Sequence, residues 1–261
     1  MTSMSIVPSF NFSIGETSFQ NFNKEQDFFL WYQLLIELLK QLPSTSVSQN
    51  NLLAECRLKY FDDTTQLRKI QEFEDTYDST NVIEWYIRVA FLYRLLNKAL
   101  RTKNILIIFQ FRFVLIDLYN CLAQLHESYI SSLRSQKETI SELVMFHGQG
   151  LTVAELQSLK DNINGRISIN SFFFTSTWNE IPLHFAGNAL ERSLIESIFF
   201  EIHCSVKNYL TKPFAYLEKE EKVLFTMGTI FQINFVEKLT DQIWHVKLTL
   251  CDDDNDLIRT E

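Results

Sequence analysis

The sequence is poor in the residues that punctuate turns. It has 6 Gly and 4 Pro in 261 residues, which argues against a loop-rich fold and favours long helices and well-paired strands. Cysteine is scarce as well. Cys56, Cys121, Cys204 and Cys251 are far apart, with no CxxC pair and no histidine at ligand spacing, so no structural zinc or other metal is expected. Nor is there a Lys/Arg stripe of the kind that neutralises phosphates. The net charge is −8, and nucleic acid is not an expected partner. The acidic cluster Asp252, Asp253, Asp254 and Asp256 reads as a solvated terminus. The opening MTSMSIVPSFNFSIGE lacks both a basic n-region and an apolar h-region, so it is not a secretory signal. With no mark of export, reduced thiols and a cytoplasmic protein are expected.

Aromatic residues are abundant. There are 23 Phe, and hydrophobic residues make up 46%, enough for a sizeable core in one large domain or in a compact domain with a helical extension. The apolar stretch from Asn104 to Leu125 carries Gln110, Arg112, Asp117 and Asn120 in its middle, each costly in lipid. It reads as a buried core helix, and no membrane partner is expected.

Residues 1–140 read as mainly helical. KEQDFFLWYQLLIELLKQL places Phe28, Trp31, Leu35 and Leu38 on one helical face, with Pro43 as a stop. NNLLAECRLKYF and TTQLRKIQEFEDTY are shorter helical segments. Asn81 is placed to cap a further helix in which Val82, Trp85, Val89, Leu92 and Leu96 recur at helical spacing. Residues 141–261 read as β-rich. ELVMFHG forms a short buried strand with a break at Gly148 and Gly150, and Thr152 with Glu155 forms a capping box opening a helix that ends near Gly165. RISINSFFFTS, SLIESIFFEIHCSV, KVLFTMGTIFQINFVEKL and IWHVKLTL follow as strands. The pattern is α+β.

The segment LVMFHGQGLTVAELQSLKDNINGRISINSFFFTSTWNEIPLHFAG resembles the NAD-binding core of the arginine-specific mono-ADP-ribosyltransferases. That family's pattern runs from a strand ending Y-R-G-Q, through a helix, to I-S-x-N-S-F-L-S-T-S and then a loop carrying F-A. ESIFFEIHC, TKPFA, KVLFTMGTIFQI and IWHVKLTLC resemble its later strands in order, and EFEDTY with FLYRLLNKALRTKN its preceding helical region. Several ordered blocks are harder to obtain by chance than one motif. The resemblance implies two β-sheets forming a cleft for NAD+, preceded by a helical layer. It also implies transfer of ADP-ribose from NAD+ to protein arginine with release of nicotinamide, with NAD+ as substrate and a protein as target.

That reaction develops positive charge on the ribose and needs a fixed grip on the pyrophosphate. The family's Arg, Ser and Glu supply these functions, and this sequence departs from the pattern at all three. His147 stands at the Arg position, followed by Gly148 and Gln149 as in the family. Phe174 stands at the Ser position, followed by Thr175 and Ser176. Lys222 stands at the position of the catalytic Glu, after Glu220 and Glu221. A neutral imidazole presents no cationic fork, Phe has no hydroxyl, and a lysine beside a developing cation is repulsive. Lost or weak activity follows, with a binding module as the alternative. Rescue would require Glu221 in the catalytic place, Thr175 or Ser176 for the hydroxyl, and Phe185 to stack on nicotinamide. His126, His147, His184, His203 and His245 form no HExxH pair, and Cys204 and His203, adjacent in a strand, point to opposite faces.

Overall fold

The computed structural model describes residues 19–21, 26–42, 46–88, 90–135, 142–178, 195–205, 214–217 and 221–251. They form two compact units, one within residues 31–121 and the other comprising residues 19–30 and 122–251.

The first unit is helical: α1 (Gln26–Gln41, from residue 31), α2 (Ser46–Lys59), α3 (Thr64–Thr76), α4 (Val82–Arg88), α5 (Ala90–Arg101), α6 (Ile105–Gln110) and the start of α7 (Arg112–Ser135). On α1 the buried residues are Leu35, Ile36 and Leu39, whereas Leu38 is 56% exposed. The buried stripe is therefore rotated from the one expected through Leu38. Asn81 does not cap α4 with its side chain. It closes a capping box with Asp78 around the 3₁₀ turn Ser79–Asn81, accepting from the Asp78 N–H. The apolar stretch from Asn104 is two helices rather than one. Asn104 caps α6, and Phe111 leaves helical geometry before α7 begins. Among the described residues no helix is long and apolar enough to cross a membrane. Phe73 anchors this core, its ring 5.2 Å from Trp85 and 6.1 Å from Phe91.

The second unit is built on strands β1 (Phe19–Asn21), β2 (Glu142–Thr152), β3 (Arg166–Ile169), β4 (Phe173–Ser176), β5 (Ile195–Ser205), β6 (Phe214–Leu217), β7 (Lys222–Phe225), β8 (Ile230–Lys238) and β9 (Ile243–Leu250), with α8 (Val153–Asp161) after β2. The class is thus α+β. The strands are hydrogen-bonded in the order β1-β3-β8-β9-β5-β2-β4-β7-β6. Six strands and then three make up this order, and the groups meet at a single residue pair, Phe146 opposite Ser176. β1 belongs to this sheet although it lies in the region that reads as helical.

β2 runs through Gly148 and Gly150 to Thr152 without the expected break, paired with β5 along its whole length. Thr152 then opens α8 with the predicted capping box: its Oγ1 accepts from the Glu155 N–H at 3.2 Å, and the Glu155 carboxylate accepts from the Thr152 N–H at 2.9 Å. α8 ends at Asp161, and a turn follows in which a Cβ on Gly165 would lie 2.0 Å from Asn162 Oδ1. A side chain there would displace the Asn162 amide and crowd the Asn162 backbone oxygen at 2.9 Å.

The run RISINSFFFTS is interrupted after Ile169, and so is its partner KVLFTMGTIFQI after Phe225. β3 pairs with β8 and β4 with β7, so both partners bend together between the strand groups. The bend is held by Gly228 N–H donating to Ile169 O at 2.8 Å and Ile169 N–H to Thr229 O at 3.1 Å. Gly228 adopts φ 75°, a conformation few side chains tolerate. In β8 a bulge at Asn234 moves the inward set from Phe231 and Ile233 to Val236, keeping apolar side chains in the core across the irregularity.

Candidate active site

Strand alternation decides where the site residues point. On β2 the buried residues are Met145, His147, Gln149 and Leu151, alternating with Phe146, Gly148 and Gly150. Met145 and Leu151 belong to the hydrophobic core with Phe173, Phe200, Val223 and Phe225. His147 therefore faces that core. Its ring lies 4.6 Å from Phe173 and 6.3 Å from Phe200, and the residue is 4% exposed.

The hydrogen bonds of His147 fix its proton. Nδ1 lies 2.7 Å from the Phe174 carbonyl oxygen, which can only accept, so Nδ1 carries the hydrogen. Burial pushes the imidazole pKa down to about 4, against the smaller opposing effects of the bonds to Gln149 and Phe174. The ring is neutral near pH 7 and Nε2 is an acceptor. Nε2 sits 3.2 Å from Gln149 Oε1, while Gln149 Nε2 is enclosed and has no partner among the described residues. A half-turn of the Gln149 amide brings its NH₂ to His147 Nε2 and satisfies both groups. His147 is thus a neutral core histidine with both nitrogens engaged, and it offers nothing to a pyrophosphate.

Phe174 and Lys222 lie on the opposite face. Antiparallel pairing sets Phe174 against Leu224 and Ser176 against Lys222, so these four side chains share one face. Phe146, paired with Ser176, shares it, and His147 does not. Lys222 Nζ lies 5.2 Å from the centroid of Phe174. The cation and the ring form a cation–π pair. The structure thus brings Phe174 and Lys222 together and leaves His147 on the other side of the sheet.

Thr175 and Ser176, the two hydroxyl residues that follow Phe174, divide in the same way. Thr175 is buried on the core face, and its Oγ1 donates to Val223 O at 3.0 Å. Ser176 is half-buried on the Lys222 face, and its Oγ accepts from the Trp178 N–H at 3.1 Å. Glu221 is exposed at φ 53°, and its carbonyl accepts from both the N–H and Oγ1 of Thr177, at 2.9 and 3.1 Å. Phe185 and Glu220 lie outside the described residues. So does His184.

A polar cluster that sequence reasoning passed over spans β2, β5 and β9 on the face of Phe146. Glu201 is its centre, with His203 Nε2 at 2.6 Å, His245 Nε2 at 3.1 Å and Lys247 Nζ at 3.3 Å. His203 Nδ1 also reaches Glu142 at 2.9 Å. Burial raises the Glu201 carboxyl pKa, but the bonds from His203 and Lys247 and the nearby charges outweigh it, and the net shift is downward. Register pairs Glu201 with Phe146 on one side and with Lys247 on the other. The residues come from three strands far apart in sequence, so only their alternation with apolar neighbours could have signalled a shared face. Among the described residues, no group of His, Cys, Asp and Glu is arranged to hold a metal ion.

No family model and no curated protein matches the chain. Solved structures similar to it include Vis toxin, an ADP-ribosyltransferase from Vibrio splendidus, at 15% identity over 86% of this chain and 94% of that one, with a TM-score of 0.49. The ADP-ribosyltransferase HopU1 of Pseudomonas syringae is similar at 15% identity over 80% and 99%, TM-score 0.47. The C3 exoenzyme of Clostridium limosum is similar at 13% identity over 76% and 94%, TM-score 0.45. The chemistry of this chain has to be read from its own residues.

Proposed function

We propose that this chain is an ADP-ribosyltransferase-type domain in which transfer from NAD+ to protein arginine is lost or strongly reduced, and which acts as a binding module for a protein or a nucleotide. The ordered motif blocks support the family reading, because they fall on β2, α8, β3, β4, β5, β6, β7, β8 and β9 as the resemblance implies. The observation that carries the loss of chemistry is His147, neutral and enclosed between Phe173 and Phe200 at the position where the family places a cationic grip. Lys222 beside Phe174 adds a positive charge where the family has a carboxylate, and positive charge opposes an oxocarbenium-like transition state. The residues described at these positions do not fit a dinucleotide pyrophosphate.

A second reading keeps the enzyme and rests on Glu221. Its positive φ is an uncommon conformation for a non-glycine residue, and its fixed carbonyl holds the backbone beside Ser176 and Lys222 while the side chain stays in solvent. In this reading Glu221 supplies the carboxylate, and the acceptor is a guanidinium. One assay separates the two: release of nicotinamide from NAD+ by the purified chain with a small guanidine acceptor present. Release at the no-protein background supports the first reading. Release well above it that Glu221→Gln abolishes supports the second and overturns the first.

A further inference from the structure

We draw no further inference here: the strongest candidate, the cavity of about 270 Å³ between α2, α5 and α6 in the helical unit, carries nothing because the Gln110 amide oxygen is enclosed by protein rather than open to it, Lys98 in its lining already has a partner, and nothing in the structure shows what occupies it.

Discussion

The two faces of strands β2, β5 and β9 carry histidines in opposite circumstances. On the core face His147 is enclosed by phenylalanine rings, and its nitrogens are engaged by a carbonyl and an amide. On the other face His203 and His245 bracket Glu201 within reach of Lys247, partly open to solvent. One residue type thus serves as a neutral packing element on one side of a sheet and as a member of a hydrogen-bonded polar cluster on the other. Period-two alternation makes the assignment, because a shift of one residue exchanges the faces. A motif aligned by residue type specifies which residue occupies a position. The face it occupies also depends on the pairing of Phe146 with Ser176, and here that pairing turns position 147 into the core.

The difference between the faces can be broken most severely by putting a fixed charge on the core side. His147→Arg should lower unfolding stability by roughly 3–5 kcal/mol, the cost of a buried charge without a partner, as measured by urea denaturation. A variant of unchanged stability would mean that position 147 reaches solvent.

The next effect comes from acid. The folded-state pKa of His147 is depressed to about 4 from the ordinary 6.5, so between these values the unfolded chain binds the proton and the folded chain does not. Stability linked to this group is full above about pH 6.5 and is lost as pH falls towards 4, by about 3 kcal/mol in all. Denaturation midpoints of the wild type and His147→Gln, compared across that window, should differ in slope. Parallel curves would contradict the assignment.

A smaller effect is expected on the core face at Thr175. Its buried hydroxyl donates to Val223 O, and Thr175→Val should cost about 1 kcal/mol by the same denaturation. On the other face Glu201→Gln should cost less than about 1 kcal/mol, since partly exposed ion pairs contribute little, and the cost should shrink further in high salt. If Glu201→Gln were the more damaging of the two, the roles of the faces would be reversed.

Much of the fold was legible in the sequence. The switch from helical to strand periodicity near Glu142, the Thr152–Glu155 capping box and the later strands are local patterns, and local patterns survive folding. What could not be read depended on distant partners. RISINSFFFTS looks like one strand, and its division at Asn170 follows from the bend shared with the turn at Gly228, some sixty residues on. Leu38 has the spacing of a core residue, but its neighbours Leu35, Ile36 and Leu39 face inward instead. At the site, the residue types of His147, Phe174 and Lys222 were plain from the sequence. That His147 is parted from the other two was not, because it rests on one cross-strand pair. The Glu201 cluster was invisible because it rests on the registers of β5 with both β2 and β9.

That position 147 holds a neutral core histidine making no contact with NAD+ is the statement on which the proposed function rests. It is tested most directly by NMR of the protein carrying isotope-labelled histidine, following the His147 ring nitrogens against pH and against added NAD+. A neutral ring protonated on Nδ1 down to about pH 4 is expected, with no change on addition of NAD+. A ring that titrates near the ordinary histidine value, or whose nitrogens shift on saturation with NAD+, would contradict it.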